Sequence, residues 1–346
     1  MRLNKLAKKI FAAGLAVSLM MANAGVSFGA PYTPVSGGTI QISKEMTVNG
    51  SETVPATVSY SYAVTAEESG AAVPTVQNPT TFTAGEAATG GKISKPITFD
   101  FSNIQYSEPG FYKYTVVETQ DPATVSGLTN NTTTTKYLEV MVVDDNGTLK
   151  VEKSYMYETD SSTKSDKFDC AFTTGSLTFN KTVTGNQGSH DQYFKFSISI
   201  PANTGAKFTV TGQDKAPVAN AATTYTVDEM TTANNIDDLT STGTTITHDF
   251  YLQHGNSVVI SGIPVGTEYT ITETAADGYT TTIKVDGETA DAATGTVKEG
   301  GSNVEFTNNK EGVIPTGVIL DSAPFILIIG LAAAALIFTA ARKKVR

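Results

Sequence analysis

The chain has 346 residues, enough for about two domains, and carries 34 acidic against 24 basic residues. Setting aside four basic residues at each end and Asp321 leaves 16 basic and 33 acidic side chains over residues 25–316, about −17 in net charge. That balance excludes nucleic acid and anionic lipid as natural partners, and the single cysteine, Cys170, excludes an internal disulfide.

Residues 1–24 read as a secretory signal peptide. Arg2, Lys5, Lys8 and Lys9 precede the apolar run Ile10 to Met21, and Ala22-Asn23-Ala24 supplies an A-x-A cleavage site. A cut after Ala30 is the alternative, with Phe28 where a small residue is preferred. The apolar run is too short to span a bilayer.

Beyond the signal, Trp is absent and short alternating segments dominate. "TIQISKEMTV", "TVSYSYAV", "ITFDFSNI", "FYKYTVVET", "KYLEVMVV" and "TLKVEKSYMY" read as strands, the last two joined by the hairpin signal "DDNG". The second half continues in the same style with "SLTFNKTV", "YFKFSISI", "KFTVTG", "SVVISGI", "EYTITET", "TTTIKVDG" and "NVEFTNN". Strands at this spacing predict an all-β protein of two tandem Ig-like β-sandwich domains. The similarity of "PGFYKYTVVET" to "IPVGTEYTITET" supports two related domains, placed at residues 31–173 and 174–310.

Strand alternation puts charge where a core should be. In the second half Lys181 shares a face with Leu177, Phe179 and Val183; Glu273 with Tyr269 and Ile271; Asn308 with Val304 and Phe306. In the first half Lys44 lies on the face of Ile42 and Met46, and Glu118 on that of Tyr114 and Val116. A snorkelling lysine or a buried salt bridge is the plainer explanation for any one of these. Repetition of a Lys and a Glu at matching places favours a covalent reading. Burial drives a lysine toward its neutral, nucleophilic form and a glutamate toward its protonated form. A protonated carboxyl can polarise an amide carbonyl and shuttle protons as ammonia leaves. The product would be an isopeptide made once, by proximity rather than turnover.

At these residues the sequence resembles a known family. "FNKTVTG", "YTITETAADGY" and "VEFTNN" are similar to the opening, middle and closing segments of the CnaB-type domains of Gram-positive surface proteins. The tandem arrangement looks like the streptococcal backbone pilins. The resemblance implies Lys181 as nucleophile, Glu273 as catalytic proton shuttle and Asn308 as acceptor, with Asn309 on the wrong face. In the first domain it implies Lys44 and Glu118 in the first two roles. There the closing strand reads "KFDCAFTTGSL", with Cys170 where the family has asparagine. A thiol offers no amide carbonyl. Either a bulge re-aims Asp169 for a Lys44–Asp169 bond with loss of water, or Cys170 simply fills core space.

The last stretch, residues 311–346, resembles a sortase sorting signal. Ile314, Pro315, Thr316 and Gly317 stand before the uncharged run Ala323 to Ala341, one bilayer span, and a basic tail. The resemblance implies cleavage between Thr316 and Gly317, with the Thr316 carbonyl passing to an amine. The acceptor lysine on the next subunit is expected in "TDSSTKSDKFD", at Lys164 or Lys167, with Lys164 preferred.

The leading expectation is therefore a structural pilus subunit: exported, transiently membrane-anchored, and polymerised head to tail with copies of itself. A pilin-type sortase would attach it to peptidoglycan or a basal pilin, and a host surface ligand is a further possible partner. A Lys181–Asn308 bridge would close a 127-residue loop and, by analogy with disulfides, contribute roughly 4–5 kcal/mol. The alternatives are a non-polymerising wall-anchored adhesin and a minor anchor or tip pilin. No cofactor or metal site is expected, since His190, His248 and His254 have no ligand spacing, and no enzyme beyond the self-modification.

Overall fold

The computed structural model describes residues 32–130, 133–158, 163–219 and 224–312. The signal peptide, the Ile314–Gly317 motif and the apolar run with its basic tail lie outside the described residues. What is described is built from β-strands, with one 3-10 turn at Val227–Glu229.

In the first half, an antiparallel sheet runs in the order Thr148–Tyr157, Thr135–Asp145, Gly110–Asp121, Val58–Ala66, Thr80–Phe82. It faces a second sheet in which Thr39–Asn49 pairs antiparallel with Lys92–Asp100 and parallel with Lys167–Thr184. The facing surfaces alternate as the sequence does. Met46, Val48, Tyr60, Phe82, Phe99, Val116, Leu138, Phe168 and Phe172 are buried in one core. The "DDNG" hairpin turns with Asn146 and Gly147 both at positive φ, 57° and 90°, the backbone that this dipeptide favours.

The second half repeats the plan around a separate core that includes Leu177, Phe179, Phe196, Ile198, Ile260, Ile271 and Phe306. Tyr193–Pro201 sits between Thr245–Leu252 and Glu268–Glu273 in one sheet. In the other, Lys167–Thr184 lies between Ser257–Pro264 and Ser302–Asn309, parallel to the latter, and Thr280–Val285 pairs beyond.

One strand therefore serves both halves. "KFDCAF" and "LTFNKTV" are two ends of a single 18-residue strand, Lys167–Thr184, not two strands separated by a turn at Thr173–Gly175. Phe168, Cys170, Phe172 and Thr174 are buried on one side; Leu177, Phe179, Lys181 and Val183 are buried on the next phase of the alternation. The change of face falls at a register shift between Gly175 and Ser176, where the partner strand Ser257–Pro264 carries one extra residue, Gly262 at φ 85°. Gly175 is required there, because a Cβ would stand 2.1 Å from the Lys298 carbonyl oxygen. At roughly 3.3 Å per residue the 18-residue strand is about 60 Å long.

A satellite cluster of Tyr193, Tyr225, Met230 and Tyr251 packs beside the second core. Asp214, fully buried, fastens the neighbouring loop: its Oδ1 accepts the Tyr251 N–H at 2.6 Å, and its own N–H donates to Asn234 Oδ1 at 3.0 Å. Its Oδ2 has no partner. Burial outweighs these bonds and pushes the carboxyl up to about 7. The unfolded chain ionises this group near its ordinary value of about 4, so the folded state alone holds the proton between the two values. On this account stability falls as pH rises from about 4 to about 7 and stays low above it, by up to ~4 kcal/mol. Asp214→Asn should unfold at a higher temperature than the parent at pH 8 and converge with it near pH 4, as read by calorimetry.

Candidate functional site

Three buried polar side chains meet in the second core. Lys181 projects from the shared strand, Glu273 ends Glu268–Glu273, and Asn308 lies near the end of Ser302–Asn309. In the parallel register Lys181 faces Phe306 and Val183 faces Asn308, so Lys181 and Asn308 are neighbours offset by two residues on the core face. Lys181 Nζ donates to Glu273 Oε1 at 2.7 Å, and Asn308 Nδ2 donates to the same oxygen at 2.6 Å. Lys181 is 1% exposed and Asn308 0%. The walls are aromatic: the ammonium is 4.4 Å from the Phe194 ring centroid. Thr281 donates to Asn308 Oδ1 at 2.8 Å, which fixes the amide. Asn309 points the other way, accepting from the Thr184 hydroxyl.

The electrostatics favour uncharged partners. Burial lowers the Lys181 ammonium to about 8 against the opposing pull of Glu273. Burial raises the Glu273 carboxyl, with Lys181 and Asn308 pulling it back. Its second oxygen, Oε2, is buried without a partner. An amine that readily sheds its proton thus shares a carboxyl with an amide, in a dry aromatic pocket.

The first core holds the same frame. Lys44 Nζ donates to Glu118 Oε1 at 2.8 Å, with Lys44 0% and Glu118 7% exposed. The ammonium lies 3.7 Å from the Tyr60 ring centroid. Lys44 faces Phe168 and Met46 faces Cys170 across the parallel pair, the stagger seen at Lys181 and Asn308. Cys170 therefore occupies the position equivalent to Asn308, and burial raises its thiol. Asp169 is a correction to the sequence expectation. Pairing from Lys167 to Thr173 runs without a bulge, so nothing re-aims its side chain, and it stays on the face opposite Lys44. Its Oδ1 is buried without a partner there.

Sequence reasoning missed Lys136. It is 0% exposed, donates to Glu158 Oε1 at 2.5 Å and Ser165 Oγ at 2.9 Å, and lies 5.1 Å from the Phe168 ring centroid. The signal was present in "KYLEVMVV", where Lys136 shares a face with Leu138, Val140 and Val142. Of the expected acceptor lysines, Lys164 is exposed, with its ammonium 3.5 Å from the Tyr155 ring centroid. Lys167 is partly covered and ion-paired to Glu45 at 3.1 Å.

Residues 40–173 match the family described as a Spy0128-like isopeptide containing domain, and residues 175–310 match a family described as a domain of unknown function. A curated "Pilin" of Streptococcus pyogenes serotype M1 is 26% identical over 274 residues, 74% of each chain. On these matches the chain is a structural pilus subunit with a Spy0128-like isopeptide containing domain at residues 40–173, similar to the streptococcal pilin. Solved major pilins of Streptococcus pyogenes share its fold: one superposes with a TM-score of 0.57 at 21% identity, covering 80% of this chain and 100% of the other. Another, T3.2, gives 0.54 at 19%, covering 79% and 99%. The "Pilus tip adhesin Cpa" of the same species matches more locally, 32% over 151 residues, 43% of this chain and 18% of that one. This pilin is thus a structural, non-enzymatic subunit of a cell-surface pilus that assembles with other pilin subunits.

In the pilin's first core, Lys44 and Glu118 each depend on the other. Removing Lys44 leaves a carboxyl buried beside Tyr62, its cross-strand neighbour, with no cation against it. Lys44→Met should cost about 3 kcal/mol, and Lys44→Met with Glu118→Leu should recover most of it. Urea titrations of the two variants measure the difference.

Proposed function

We propose that the second domain, residues 174–310, closes itself with an isopeptide between Lys181 and Asn308, and that the pilin is polymerised through Thr316 onto Lys164 of the next subunit. The observation that carries the first part is the single Glu273 oxygen shared by the lysine amine and the asparagine amide. The neutral Lys181 Nζ attacks Asn308 Cγ. A C–N bond forms as the amide C–N bond breaks. Glu273 takes a proton from the attacking nitrogen and delivers one to the departing nitrogen, and ammonia leaves. The fold supplies the proximity, so the reaction happens once per chain.

For the second part, a pilin sortase would cut between Thr316 and Gly317 and pass the Thr316 acyl group to an amine. Lys164 has the accessible amine; Lys136 is sealed in the core and Lys167 is held by Glu45. Lys164 precedes one end of the shared strand, and Gly312 follows Asn309, which pairs with the other end at Thr184. Lys164 and Gly312, the last described residue before the donor, therefore sit toward opposite ends of the shared strand, as a head-to-tail polymer requires. Peptidoglycan or a basal pilin would receive the last Thr316, and the apolar run would hold the chain in the membrane until then.

The topology then defines a load path. Tension enters at Lys164, runs along the shared strand to Lys181, crosses to Asn308 and leaves toward Thr316. The strands of the second domain between these points, and the first sandwich up to Tyr157, lie outside it.

Mass spectrometry of the purified ectodomain should show loss of one ammonia and a branched Lys181–Asn308 peptide; Glu273→Gln should retain the ammonia. A parent mass equal to the plain sequence would refute the bond. In cells, Lys164→Arg should collapse the pilus ladder to monomer while Lys167→Arg leaves it intact; the reverse pattern would move the acceptor to Lys167.

A further inference from the structure

The two cores can be compared position by position, because the shared strand enters both. Phe168 stands to Lys44 as Phe306 stands to Lys181, each directly opposite in a parallel pair. Cys170 follows Phe168 by two residues, as Asn308 follows Phe306. Glu118 lies opposite Tyr62 and Glu273 opposite Phe196, each on the adjacent sheet. The aromatic ring nearest the lysine is Tyr60 in one core and Phe194 in the other, each two residues before those partners. In both, one glutamate oxygen holds the amine and the other is buried without a partner. The lysine, the glutamate and the aromatic wall of the second site all have counterparts in the first; the amide does not.

We propose that Lys44 and Glu118 form an isopeptide-forming site that lacks only its acceptor, so that the first domain of the native pilin stays unlinked while remaining competent for the reaction. This rests on the Lys181–Asn308 reading for its chemistry. The thiol of Cys170 has no acyl carbon, so Lys44 has nothing to attack, and Asp169 faces away. Glu118 remains primed: burial raises its carboxyl, and its Oε1, which holds the Lys44 amine, corresponds to the Glu273 oxygen that Asn308 shares with Lys181.

The load path gives the asymmetry a rationale. With the acceptor at Lys164, tension bypasses the strands of the first sandwich from Val35 to Tyr157. A bond between Lys44 and the shared strand would join a segment that carries no force. A thiol there is mechanically neutral, whereas loss of the amide at Asn308 would break the path.

Substituting C170N supplies an amide on the same core-facing position. Lys44 Nζ would then bond to the introduced side-chain carbonyl carbon, and the amide nitrogen would leave as ammonia with a proton relayed by Glu118. The test is intact mass and peptide mapping of the ectodomain in three forms. The parent should lose one ammonia, C170N two, and C170N with E118Q one. A folded C170N protein that loses only one ammonia overturns the proposal. A second measurement needs no variant. When the parent is denatured and treated with an amine-acylating ester, Lys44 should be labelled in full and Lys181 not at all. Protection of Lys44 would show that it is already linked and would also overturn the proposal. Labelling of Lys181 would instead refute the second-domain bond, and C170N would then still report on the Lys44 site by itself.

Discussion

The structure depends on a lysine and a glutamate placed together in each of two otherwise apolar cores. Taking two charges out of water is costly, and the mutual attraction of the pair offsets little more than that cost. Such pairs are a poor way to stabilise a sandwich. In the second core burial lowers the Lys181 ammonium and raises the Glu273 carboxyl, and an amide shares the same carboxylate oxygen. Read through stability the arrangement is wasteful; read through chemistry each group has a role.

The second constraint is the strand Lys167–Thr184. It supplies a wall to both cores, carries Cys170 at one site and Lys181 at the other, and runs parallel to both Thr39–Asn49 and Ser302–Asn309. Parallel pairing places the first and last strands of the second sandwich side by side, so a lysine on one reaches an asparagine on the other. Gly175 makes the double duty possible. It sits against the Lys298 carbonyl oxygen at the point where the alternation changes phase. With the proposed Lys181–Asn308 bond in place, tension along this strand would meet one covalent route rather than two stacked domains, the mechanical behaviour that suits a pilus shaft.

Much of this was legible in the sequence, because strand alternation is a two-residue code that needs no tertiary information. It put Lys44, Glu118, Lys181, Glu273 and Asn308 on core faces, and separated Asn308 from Asn309. It failed where the code is interrupted. The continuous strand through Gly175 looked like two strands, since a change of buried face and a turn leave similar traces. Asp169 was a candidate because a bulge there was conceivable; the uninterrupted register with Thr39–Asn49 removes it. Lys136 obeyed the rule and was overlooked because its partners, Glu158 and Ser165, lie in a different segment. The sequence already preferred Lys164 over Lys167; the Tyr155 ring near one ammonium and the Glu45 carboxylate beside the other are what tertiary structure adds.

The most direct test of the central claim is to stretch a single ectodomain between residue 164 and Gly312. If the path runs along the shared strand and across Lys181–Asn308, the molecule should extend elastically with no unfolding step before the tether fails. An unfolding event releasing the 127 residues between Lys181 and Asn308, on the order of 400 Å of contour, would contradict it.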